Sequence, residues 1–179
     1  MDIVLIRHTT PEVGKGICYG QTDLALTSSF PEELKAVKSK IPESFDKVYS
    51  SPLKRCLQLA NQLSDEVQQD ERLMEVNFGN WEMKLWNDIP TTELNPWMAD
   101  FVNTRPAEGE SFQELITRVE EVLQEVLSSD ADRVAIVTHA GAIRAALGLF
   151  LDMAPENLFR LGLDYGSASF IGVKNGMYQ

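Results

Sequence analysis

Two short runs rich in β-branched residues each end on a histidine: Ile3-Val4-Leu5-Ile6-Arg7-His8 and Val134-Ala135-Ile136-Val137-Thr138-His139. A neutral imidazole beside a fixed cation suits attack on phosphorus: one ring nitrogen attacks, a backbone carbonyl holds the other, and Arg7 holds the phosphoryl oxygens. A phosphoryl group in transfer spreads negative charge over its non-bridging oxygens, so the site needs several cationic or N–H donors. Arg55 and His139 are the further candidates. Arg55 lies in Ser50-Ser51-Pro52-Leu53-Lys54-Arg55, where a strand gives way to a helix whose N-terminus adds partial positive charge. Lys54 beside it reads as a solvated first-turn lysine.

A phosphomonoester also needs an acid to protonate the departing alkoxide and then a base to activate water, and one carboxyl group can do both. Glu75 is the candidate, in Leu73-Met74-Glu75-Val76-Asn77-Phe78-Gly79-Asn80-Trp81-Glu82, an apolar setting of the kind that raises a carboxyl pKa toward neutrality. Glu82 is its local rival. A lone strand-end histidine is more often structural than catalytic, but two of them, one coupled to arginine, favour function. Neither histidine has a His, Cys or paired carboxylate at zinc-ligand spacing, so no metal is expected. Gly14, Gly16 and Gly20 form no dinucleotide fingerprint, and no cofactor is expected. Cys18 reads as a small packed residue.

The elements that must position these residues alternate strand and helix. Such patterns build a doubly wound α/β sheet, whose ligands bind beyond the carboxyl ends of the strands. Thr9 to Thr27 is a long irregular loop of the kind that is usually functional. A helix is predicted from Pro31 to about Lys40, a strand over Asp46 to Ser50, and a helix opening at Ser51-Pro52. An extended stretch follows from Arg72 to Val76, and Trp86 to Gly109, rich in Pro, Trp and acidic residues, reads as a lid. Phe78 and Trp81 are expected in the core or pocket wall, with Trp86 and Trp97 lining the cap. Ser111 and Glu114 form a capping box ahead of an apolar stripe from Leu115 to Leu127. The His139 strand comes next, then helices from about Ala142 to Leu151 and after Pro155, and a closing strand near Ser169 to Val173.

The 179 residues make one domain, with a cap around 82–110, and the formal charge of −11 argues against nucleic acid or an anionic membrane as partner. Two cysteines, the absence of a signal-like or membrane-spanning stretch, and Met1 running directly into a strand make the cytoplasm the expected location. The sequence specifies no oligomeric state.

Taken together, Leu5-Ile6-Arg7-His8, Ser50 to Cys56, Leu73 to Glu82 and Val137-Thr138-His139-Ala140-Gly141, with Gly109-Glu110-Ser111 as a weaker fifth motif, resemble the phosphoglycerate-mutase-like histidine phosphatase superfamily. The resemblance implies a three-layer α/β/α fold with a mostly parallel sheet. It also implies a phosphohistidine on His8, phosphate held by Arg7, Arg55 and His139, Glu75 as proton donor, and no metal. In the commonest family pattern a glycine follows the histidine, and an asparagine a few residues on touches phosphate. Thr9 and Gly14 stand at those positions here, so Thr9 or Thr10 is expected to take over that contact. The loop Arg7-His8-Thr9-Thr10-Pro11, with Gly16-Ile17-Cys18-Tyr19-Gly20-Gln21-Thr22-Asp23, looks like the alpha-ribazole phosphatase branch. The expected substrate is therefore a small phosphomonoester, alpha-ribazole 5'-phosphate first. The alternatives are a mutase-type enzyme, a broad-specificity small-molecule or sugar phosphatase, and a non-catalytic phosphate- or phosphoprotein-binding module.

Overall fold

A computed structural model describes residues 1–174 and the backbone of 177–178. Strands β1 (Asp2–Arg7), β2 (Lys47–Ser50), β3 (Val67–Gln69), β4 (Arg133–Thr138), β5 (Ala168–Lys174) and β6 (Met177–Tyr178) form one sheet in the order β3-β2-β4-β1-β5-β6. The β1–β4, β2–β4 and β2–β3 pairs are parallel, and β5 runs antiparallel to β1.

The apolar run of β1 is continuous because both faces of the strand are covered. Ile3 and Leu5 join one core, with the inner faces of α4 (Phe112–Leu127) and α5 (Ala140–Leu151). Val4 and Ile6 join another, with α1 (Phe30–Lys38) and α2 (Lys54–Ala60). This is the expected three-layer α/β/α arrangement. The capping box opens α4: Ser111 Oγ accepts from the Glu114 amide, and Glu114 Oε2 accepts from the Ser111 amide at 2.9 Å.

Two segments differ from the sequence-based expectation. The extended stretch expected over Arg72 to Val76 begins later: Glu71–Leu73 is a 3-10 turn, opened by Asp70 accepting from the Arg72 amide, and extended backbone starts at Met74. The strand of this region is β3, three residues earlier, where Val67-Gln68-Gln69 at the sheet edge lacks the apolar alternation that would mark it. The segment 86–109, expected as a lid, carries a helix, α3 (Thr91–Ala99), with Pro96 inside it. Its aromatics pack on one another: Trp97 stands 5.6 Å from Trp81 and 5.9 Å from Trp86 between ring centroids, around buried Cys18, Trp81 and Ile89. Trp86 and Trp97 thus serve as the core of that segment.

Candidate active site

Register brings the two histidines together. Arg7 on β1 pairs with Thr138 on β4, so the next residue of each strand, His8 and His139, stands at the same sheet edge. Their ring centroids are 5.1 Å apart, and both side chains are buried.

His8 Nδ1 lies 2.7 Å from the Thr9 carbonyl. A carbonyl can only accept, so Nδ1 carries the proton and Nε2 keeps the lone pair. Burial first, then Arg55 and Arg7, lower the His8 pKa to about 3 against the pull of the Thr9 carbonyl. The ring is therefore neutral at physiological pH, with its nucleophilic nitrogen directed away from the backbone.

His139 begins α5 as its N-cap residue. Arg55 Nε donates to its Nδ1 at 3.3 Å, which places the proton on Nε2, donated to Ser51 Oγ at 2.8 Å. Burial, His8 and Arg55 hold its pKa well below the usual histidine range. Cys56 Sγ lies 3.4 Å from His139 Nε2, but burial pushes that thiol up, so it stays protonated.

Arg55 is fully buried, and its hydrogen bonds go to neutral groups: the Thr22 carbonyl at 2.8 Å, the Gly20 carbonyl at 2.5 Å and His139. A guanidinium has five N–H donors, so two remain uncommitted. Arg7 Nη1 donates to the Leu163 carbonyl at 2.5 Å, while its Nε is buried without a partner among the described residues. A buried and a half-buried cation bonded only to neutral groups, in a chain of charge −11, leave room for an anion.

Each of these arginines lies against a tyrosine. Arg7 stacks 3.9 Å from the Tyr165 ring centroid, and Arg55 lies 5.6 Å from that of Tyr19. The two phenol oxygens are 2.6 Å apart. Tyr165 also stands 5.6 Å from the His8 ring, so the pair arches across the mouth of the site.

Glu75 reaches α5 from outside the sheet. Its Oε2 accepts from the Gly141 amide at 3.0 Å and its Oε1 from the Val76 amide at 3.0 Å. Glycine at position 141 leaves room for this carboxyl, since a Cβ there would stand 2.1 Å from Glu75 Oε1 and push it away. The carboxylate thus rests on backbone amides, whereas the sequence suggested an apolar setting, because an apolar neighbourhood in sequence leaves main-chain donors uncounted.

Glu82 has a different place. It accepts from the amides of Gly20 (3.0 Å), Gln21 (2.9 Å), Thr22 (3.0 Å) and Phe78 (3.2 Å), and from Thr22 Oγ1 at 2.5 Å. Burial works against its charge, but the Thr22 hydroxyl and the three loop amides outweigh it and hold the carboxyl below the usual range. Glu82 therefore anchors the loop whose Gly20 and Thr22 carbonyls grip Arg55.

Of the two threonines after His8, Thr9 is buried and its Oγ1 has no partner among the described residues. Thr10 is committed elsewhere: its amide and hydroxyl donate to Glu33 Oε2 at 2.9 and 3.1 Å. Sequence reasoning missed Ser51, Tyr19, Tyr165 and the anchoring role of Glu82, each of which acts through a segment distant along the chain. Among the described residues no cluster of three or more His, Cys, Asp or Glu is placed to hold a metal ion, and no helix is long and apolar enough to cross a membrane.

The family model described as "Histidine phosphatase superfamily (branch 1)" matches residues 3–179. The chain is 31% identical over 172 residues to the Hydrogenobacter thermophilus protein named "Putative phosphoserine phosphatase 2", covering 90% of this chain and 84% of that one. It is 27% identical over 186 residues to the adenosylcobalamin/alpha-ribazole phosphatase of Salmonella typhimurium, covering 98% and 92% respectively. The solved structure of the alpha-ribazole phosphatase from Shigella flexneri has a TM-score of 0.89 and 26% identity to this chain, covering 99% of it and 93% of its own length.

Proposed function

We propose that this chain, which belongs to the histidine phosphatase superfamily and is a phosphatase of it, hydrolyses small phosphomonoesters through a phosphohistidine on His8, with alpha-ribazole 5'-phosphate as its substrate. The observation that carries the mechanism is the neutral, buried His8, with Nδ1 on the Thr9 carbonyl and Nε2 free beside Arg7 and Arg55.

The phosphoryl group enters between Arg7 and Arg55, whose uncommitted N–H groups neutralise its oxygens together with His139. A dianion there opposes the arginine repulsion on His139 and favours its charged form. His8 Nε2 forms the P–N bond as the P–O bond to the alcohol breaks, and Glu75 gives that oxygen its proton. The resulting Glu75 carboxylate then takes a proton from water, whose oxygen attacks phosphorus and releases His8 and inorganic phosphate. Thr9, with its unpartnered hydroxyl, is the better supported of the two threonines as a phosphate contact.

The alpha-ribazole assignment is supported by the Tyr19-containing loop after His8 and by the likeness to alpha-ribazole phosphatases over nearly the whole chain. The phosphoserine phosphatase relative, at 31% identity, supports phosphoserine as the second reading. Comparing kcat/KM for alpha-ribazole 5'-phosphate and phosphoserine separates the two, and a preference for phosphoserine overturns the first. Rapid quench of labelled ester should trap an acid-labile, alkali-stable phosphoenzyme that His8→Ala cannot form; equal labelling of the variant overturns the covalent mechanism.

A further inference from the structure

Glu75 sits on a stretch with little regular structure: after the 3-10 turn that ends at Leu73, the chain to Phe78 belongs to no strand or helix. Its backbone groups must therefore find partners one by one. Arg118, on α4, pairs three carbonyls in and just before this stretch. Its Nη1 donates to the carbonyls of Arg72 (2.6 Å) and Met74 (2.7 Å), and its Nη2 to that of Glu75 (2.9 Å). The Leu73 carbonyl accepts from Thr138 Oγ1 at 2.5 Å, the Glu75 carbonyl also from Gln21 Nε2 at 3.1 Å, and the Asn77 carbonyl from the Glu110 amide at 2.9 Å.

Glu110 holds Arg118 in turn. Its Oε1 accepts from Arg118 Nη2 at 2.5 Å and its Oε2 from Arg118 Nε at 3.1 Å, while the Asn77 amide donates to Oε1 at 2.9 Å. The two side chains are only 17% and 18% exposed. Glu110 is the central residue of Gly109-Glu110-Ser111, the motif left without a chemical role above. Ser111 caps α4, and Glu110 ties the next-turn arginine of that helix to the Glu75 segment.

We infer that Arg118, held by Glu110, is a positioning residue for Glu75. The inference rests on the reading of Glu75 as the acid and base. The Glu75 carboxylate is located by the Gly141 amide, and its main chain is located by Arg118, so both ends of the residue are fixed. The planar guanidinium spans three carbonyls that an ammonium cannot reach together. Without it, the half-buried carbonyls of Arg72 and Met74 lose the donor that pairs them, that of Glu75 keeps only Gln21 Nε2, and the segment must move to satisfy them. A displacement of about 1 Å in a catalytic group costs on the order of 100-fold.

The test is kcat/KM across phosphomonoesters from nitrophenyl to alkyl leaving groups. It compares the wild type with Arg118→Met, Arg118→Lys, Glu110→Gln, Glu75→Gln and the Arg118→Met/Glu75→Gln pair, with circular dichroism to verify folding. Only poor leaving groups need the proton, so Glu75→Gln steepens the dependence on leaving-group pKa. Arg118→Met should steepen it as well, losing about 10–100-fold on alkyl esters and less than about threefold on nitrophenyl phosphate. Arg118→Lys and Glu110→Gln should fall between, and the double variant should be no steeper than Glu75→Gln alone.

A uniform loss across the series, or losses that add in the double variant, overturns the positioning role while a steep Glu75→Gln profile keeps the acid assignment. A flat Glu75→Gln profile overturns both. If Arg118→Met does not fold, Arg118→Lys and Glu110→Gln are judged by the same criteria.

Discussion

Gly141→Ala isolates the contact between Glu75 and α5. The added Cβ would lie 2.1 Å from Glu75 Oε1 and 3.2 Å from Leu115 Cδ2. Ordinary contact needs about 3.4 Å or more, so the carboxyl must withdraw by about 1.3 Å. That breaks the 3.0 Å bond from the Gly141 amide to Oε2. A withdrawal of this size costs a proton-transfer step about 100-fold, or ~2.7 kcal/mol of barrier. Stability behaves differently. Alanine is preferred over glycine inside a helix by about 1 kcal/mol, which offsets the tight Leu115 contact, and Tm should stay within a few degrees. The assay is kcat/KM for an alkyl phosphate and for p-nitrophenyl phosphate: about 100-fold lost on the first, less than about fivefold on the second. Retention of alkyl phosphate turnover by a folded variant, or an equal loss on both esters, would refute the reasoning.

Glu82→Gln should loosen the Gly20–Thr22 loop and so misplace Arg55, raising KM and the inhibition constant for inorganic phosphate about tenfold at unchanged leaving-group dependence; a selective loss on poor leaving groups would instead make Glu82 the acid. His8 titrates near 3 in the fold against 6.5 for an unburied imidazole, so the unfolded chain takes up the proton first as pH falls. Its stabilising contribution is complete above about pH 6.5 and is lost progressively toward pH 3, by about 4–5 kcal/mol. Denaturation at pH 7 and 4.5 should show about 2.5 kcal/mol of this loss in the wild type and a smaller one in His8→Gln, and a wild type as stable at pH 4.5 as at 7 contradicts it. Tyr165→Phe keeps the ring over Arg7 but removes the 2.6 Å bond to Tyr19, and should lower KM for a bulky nucleoside phosphate about 2–10-fold without changing small esters; a raised KM for both would show that the hydroxyl supports Arg7. Turnover should be unchanged by EDTA, and strong inhibition would point to a metal mechanism.

The buried strands were legible because their pattern is local. Ile3 to Ile6 and Val134 to Val137 are apolar on both faces, and that alone announces parallel strands covered by helices. The same logic placed His8 and His139 at one sheet edge, and the capping box of α4 could be read from two residues. What the sequence did not display are contacts between polar groups far apart along it. Arg118 falls on the helix that carries the clearest apolar stripe, where an arginine reads as a solvated residue; its three acceptors are main-chain carbonyls 43 to 46 positions earlier, which any sequence could supply. Glu82 was legible as a carboxylate but not as the ligand of loop amides some 60 positions away. Short polar β3 gave no periodic signal at all.

The tyrosine arch joins positions 146 residues apart through a single hydrogen bond. Neither phenol forms or breaks a bond to phosphorus in the proposed reaction, so the width of the entrance and the chemistry behind it can vary independently. Substitutions at the two rim positions that keep a ring against each arginine can then alter which ester enters without altering the groups that react with it. Enzymes of one chemistry and several substrates are the natural outcome of that separation.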